Sequence, residues 1–85
     1  MGFFSRLFGG KKKSTKKYEE IYLQARKMNQ SVEYAFRQAV ENAVRDGVYS
    51  SRDEAVEALW EILEPQVDPD DREDFNRAKE KAAHW

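Results

Sequence analysis

No cysteine occurs among the 85 residues, and histidine occurs once. The first absence removes disulfide frameworks and thiolate metal ligation, so the fold does not depend on an oxidising compartment. The second leaves His84 with no other His or Cys to complete a metal site and no nucleophile to serve. Glycine is confined to Gly2, Gly9, Gly10 and Gly47. No Gly-rich phosphate loop can be assembled from these, and Gly9-Gly10-Lys11 lacks both the P-loop spacing and a preceding strand. Long apolar runs are missing too. The stretch Phe3–Phe8 is too short for a signal-peptide core and far too short to cross a bilayer, which takes about 20 residues. Arg6 stands where the N-myristoylation pattern requires Ser or Thr, so lipidation at Gly2 is not supported. A chain of this size has little room for a deep cleft. The expectation is a non-enzymatic protein with no metal and no cofactor.

What the sequence does have is charge of both signs, unevenly placed. Of 15 basic and 16 acidic residues, six basic and no acidic ones fall within residues 1–17, leaving nine basic against sixteen acidic in the remainder. The first segment is therefore +6 and the body −7. Within the basic segment, Phe3, Phe4, Leu7 and Phe8 share an arc of roughly 140° on a helical wheel, opposite Ser5 and Arg6. This is a small amphipathic wedge, with Arg6, Lys11, Lys12, Lys13, Lys16 and Lys17 supplying cations for anionic lipid. Burial of one large apolar side chain contributes about 1.5–3 kcal/mol, and each nearby cation about 1 kcal/mol at an anionic surface. Together they outweigh the ordering of some eight residues. The other reading is a tail whose Phe residues cluster without function or fold back onto the body.

Residues 1–10 are thus read as a membrane anchor, 11–17 as a flexible basic tether, and 18–85 as a helical domain. Tyr18, Ile21, Tyr22, Ala25 and Met28 recur at helical spacing with Leu23 off the stripe, which predicts a helix over about 16–29. Ser31 caps a second helix over 32–46 with a broad face of Val32, Ala35, Phe36, Ala39, Val40, Ala43 and Val44, ended by Gly47. Ser50 or Ser51, with Asp53 or Glu54 completing a capping box, starts a third helix over 51–64. Its apolar arc of Ala55, Val56, Ala58, Leu59, Trp60, Ile62 and Leu63 spans roughly 200°, so it is expected to be the centre of the core or part of an interface. Pro65 stops it. Asp68 as N-cap and Pro69 at the first position open a fourth helix over 69–84, docked by a narrow stripe of Phe75, Ala78, Ala82 and Trp85. The predicted class is a small all-α domain of four helices, the first three forming the core. Asp68, Asp70, Asp71, Glu73 and Asp74 fit helix-start chemistry; an EF-hand loop would need Gly where Glu73 stands and a ligand where Arg72 stands.

Two resemblances bear on function. Residues 1–17 resemble, in design, the membrane-targeting ends of peripheral bacterial proteins such as the cell-division site-selection protein MinE and the signal-recognition-particle receptor FtsY. That likeness implies location and no activity. Separately, Asp46-Gly47-Val48-Tyr49-Ser50-Ser51-Arg52-Asp53-Glu54-Ala55-Val56 is similar to the turn between the helices of ribbon-helix-helix DNA-binding proteins. The second likeness implies phosphate contacts by Ser50, Ser51 and Arg52 and a base-reading strand at Tyr22–Met28. Against it, 18–28 fit a helix and the body is acidic, which disfavours nucleic acid.

The carboxylates of the third helix, Asp53, Glu57, Glu61 and Glu64, form either a solvated face or a docking surface for a basic partner, and Trp60 at its edge is either an interface anchor or core. The reading that follows is a peripheral protein on the cytoplasmic face of an anionic membrane, acting as an adaptor, regulator or accessory subunit for a protein partner. The wide arc of the third helix also suits self-association. The alternatives are a ribbon-helix-helix-type regulator or antitoxin, and a protein whose tail docks in a partner's groove.

Overall fold

Two residues with positive φ, Asn29 at 66° and Gly47 at 80°, set the first two turns of the chain. The computed structural model describes residues 15–85. Helix α1 spans Lys16–Lys27, and beyond its cap residue Met28 the amide of Asn29 donates to Arg26 O and that of Gln30 to Ala25 O, both at 3.0 Å. Helix α2 spans Val32–Arg45 and ends the same way, with Gly47 N donating to Val44 O and Val48 N to Ala43 O, again at 3.0 Å. Both ends are Schellman motifs, in which a left-handed residue lets the chain turn back and satisfy the last carbonyls. At the opposite ends, Ser31 Oγ accepts from Tyr34 N at 3.1 Å to start α2, and Ser51 Oγ accepts from Glu54 N at 3.2 Å to start α3, Arg52–Leu63. The Glu54 carboxylate accepts from the amide and hydroxyl of Ser50 at 3.1 and 2.7 Å.

The remainder departs from long ideal helices at its margins. After α3 a 3₁₀ turn over Glu64–Gln66 carries Pro65, and a second over Pro69–Asp71 leads into α4, Arg72–Lys81, followed by a third over Ala82–His84. Asp68 precedes Pro69 as expected, but its side chain makes no capping hydrogen bond. The tighter 3₁₀ winding around the two prolines takes up the turn instead. At the start of the described chain, Lys16 and Lys17 belong to the first turn of α1 rather than to a tether. Lys17 Nζ is held by Asp46 Oδ2 at 2.9 Å, and Tyr18 Oη donates to the same oxygen at 2.8 Å. These two hydrogen bonds hold the Asp46 carboxyl below its ordinary range and fasten the start of α1 to the end of α2.

The described residues form an all-α domain without strands. Its centre is α2, which packs against α1, α3 and α4 and buries Val32, Ala35, Phe36, Ala39, Val40 and Ala43. This corrects two expectations: α3 is not the centre, and α4 is a full member of the core. The reason is size. Ala35, Ala39 and Ala43 lie four residues apart, a ridge of small side chains that lets neighbouring helices approach closely. On α4, the stripe is narrow but Phe75 is fully buried, with its ring centroid 5.9 Å from Tyr22, 5.3 Å from Phe36 and 5.8 Å from Trp60. One ring thereby joins all four helices. Met28, expected on the core stripe of α1, is 64 % exposed, because it lies past the last helical residue where the period no longer places it.

Candidate partner surface on the third helix

Asp53, Glu57, Glu61 and Glu64 recur at intervals of four, four and three, which places them within about 80° of one another around α3. The three upper residues are exposed and Glu64 half-buried. Two of the charges are partnered across the surface from α4: Lys79 Nζ lies 3.5 Å from Glu57, and Arg72 Nη1 lies 3.2 Å from Glu64. Asp53 and Glu61 have no ion-pair partner among the described residues. At solvent-exposed positions such pairs contribute roughly 0–1 kcal/mol, so Lys79 and Arg72 can exchange one carboxylate for another at little cost. The stripe is an acidic surface with two of its four carboxylates paired to α4.

Trp60 borders that stripe and is committed to the core. Its ring stacks on Phe75 with an interplanar angle of 9°, the Lys79 ammonium sits 4.2 Å from its centroid, and its indole N–H is buried without a partner. A cation held over an indole contributes about 0.5–1 kcal/mol at exposed sites. Lys79 thus bridges Glu57 and Trp60 and closes the edge that an interface anchor would offer. The wide apolar arc of α3 is likewise covered: Trp60 and Ile62 are half-buried against the core, and among the described residues the exposed large apolar side chains are Leu23 on α1, Met28 at its C-cap and Tyr34 on α2. Sequence periodicity marked only Leu23 of these as out of place.

The lipid-facing residues divide differently. Phe3, Phe4, Arg6, Leu7, Phe8, Lys11, Lys12 and Lys13 lie outside the described residues, and Lys16 and Lys17 occupy the first turn of α1. Tyr22–Lys27 are helical, so the strand that a ribbon-helix-helix fold requires is absent from this segment. Ser51 caps α3, Ser50 holds Glu54, and Arg52 donates to the Trp85 carbonyl at 2.7 Å and pairs with Glu41 at 3.6 Å. All three residues matched to phosphate contacts already make intramolecular bonds. Among the described residues no group of three His, Cys, Asp or Glu is placed to hold a metal, and no helix is long and apolar enough to cross a membrane. No family model, no curated protein and no solved structure matches the chain.

Proposed function

We propose that the protein is a non-enzymatic peripheral membrane protein of the cytoplasmic face, an adaptor, regulator or accessory subunit that carries an acidic helical body to an anionic bilayer. The observation that carries this reading is the separation of character along the chain. An apolar quartet and six cations occupy residues 1–17, and the body they precede is net negative with an acidic face on α3. Apolar insertion and cationic attraction reinforce each other at an anionic surface. The same surface repels the body, which leaves the carboxylates of α3 pointing to a cationic protein partner instead of to lipid.

The roles follow from side-chain chemistry. Phe3, Phe4, Leu7 and Phe8 insert, while Arg6 and the lysines at 11, 12, 13, 16 and 17 attract lipid headgroups. Asp53, Glu57, Glu61 and Glu64 receive the partner. The test is the double variant Phe4→Glu/Phe8→Glu assayed by sedimentation with anionic vesicles and by far-UV circular dichroism. Loss of pelleting with an unchanged helical spectrum supports the anchor, whereas undiminished pelleting would sink it.

A further inference from the structure

A groove of about 780 Å³ runs along α1, lined by Ile21, Leu23, Ala25 and Met28 and walled by Tyr34 and Gln38 of α2. Leu23 is 36 %, Tyr34 48 % and Met28 64 % exposed, so this groove gathers the exposed large apolar side chains of the described residues. Glu20 is the one carboxylate in its lining. We infer that its occupant is the chain's own first segment, with Phe3, Phe4, Leu7 and Phe8 laid against Leu23, Met28 and Tyr34.

Three observations converge on this occupant. The first is reach. The groove starts beside Lys17, one turn from where the described chain begins, and α1 is 12 residues or about 18 Å long. Residues 9–14 separate the apolar quartet from Thr15, and six extended residues span about 20 Å, so Phe8 can be set down anywhere along the groove. Second, the chemistry matches: the sequence supplies an apolar quartet and the described residues form an apolar groove, and burying the one against the other removes apolar surface from water. Third, charge favours the return. Residues 1–14 carry four basic side chains and no acidic one, against eleven basic and sixteen acidic in residues 15–85; along the groove Glu20 is the one carboxylate, Lys17 is paired with Asp46 at 2.9 Å, and Lys27 is the second cation. Because the tether keeps the segment close, docking needs no high intrinsic affinity.

The consequence rests on the membrane reading: the same four side chains cannot lie in the groove and in a bilayer at once. Docking therefore competes with insertion, and the protein reaches the membrane by releasing its own anchor. A docked fraction of nine-tenths lowers apparent membrane affinity about tenfold.

The absence of cysteine makes the test direct. Gly2→Cys places a single thiol for a nitroxide label, and paramagnetic relaxation is read on the amide signals of the full chain. The expected result is selective signal loss at Leu23, Lys27 and Met28, with Asn76 on α4 spared. In the Leu23→Glu/Met28→Glu variant that loss disappears and affinity for anionic vesicles rises severalfold. Even broadening over the whole surface, or loss that persists in that variant, overturns the proposal. So does equal loss in a mixture of isotope-labelled chain without nitroxide and nitroxide-labelled chain without isotope, since the occupant is then a second copy. If the selective loss is seen but neither chain pellets with vesicles, docking stands and the membrane reading falls. If both pellet equally and no selective loss is seen, the reverse holds.

Discussion

Tyr18 and Tyr22 lie one turn apart on the same face of α1, both buried, and their hydroxyls meet different surroundings. That of Tyr18 donates to Asp46 at 2.8 Å; that of Tyr22 is buried without a partner. A hydrogen bond contributes about 1 kcal/mol net, while an unpaired buried polar group costs about 1–3 kcal/mol. Tyr18→Phe is therefore expected to lower the melting temperature and Tyr22→Phe to raise it, by roughly 4–8 °C for each kcal/mol gained or lost in a domain of this size. Equal shifts in one direction would contradict the assignment. Burial, the largest cause, pushes the Tyr22 phenol up to about 12. Its folded value is raised above the unfolded one, so its contribution is fully present below about pH 10 and is lost as pH climbs towards 12. An absorbance titration of the phenolates together with alkaline melts checks this, because Tyr22→Phe should flatten the alkaline loss of stability.

At the scale of the element, the helix ends offer the sharpest tests. A Cβ on Gly47 would meet no atom within 4 Å, so its φ of +80° is the whole cost of a side chain there. Gly47→Ala is expected to destabilise by about 1–2 kcal/mol, and Asn29→Gly to stabilise by a few tenths to about 1 kcal/mol, both read from denaturant midpoints at constant slope. An unchanged midpoint in Gly47→Ala would contradict the role given to its backbone. These ends were legible in the sequence because capping chemistry is local: Ser31, Gly47, Ser51 and Pro69 each act within four residues. The acidic stripe was legible for the same reason, as a period. What periodicity could not supply was anything decided across helices. It ranked α3 above α2 because it counts apolar width, whereas close packing rewards the alanines of α2. It left Trp60 open between core and interface because Phe75 and Lys79, which settle its environment, come from α4. And it put Met28 in the core by extending a helical period past the end of the helix.

At the scale of the whole molecule, Phe75 joins side chains from the other three helices, and its removal tests whether the four behave as one unit. Phe75→Ala is expected to cost about 3–5 kcal/mol, against a total of roughly 4–10 kcal/mol for a domain of some seventy residues, and so to leave the protein barely folded. A mild loss, with a cooperative melt close to that of the parent chain, would mean that α4 is an accessory to the core. Charge is the other property that exists only at this scale. A near-neutral total of −1 conceals a positive segment and a negative body, and the account of function rests on that separation. The measurement that tests it most directly is sedimentation of the full chain, and of a version lacking residues 1–10, with anionic and with neutral vesicles at physiological salt. Only the full chain is expected to pellet, and chiefly with anionic lipid. If neither chain pellets, or if the shortened one pellets as well as the full one, residues 1–10 are not the anchor and the central claim fails.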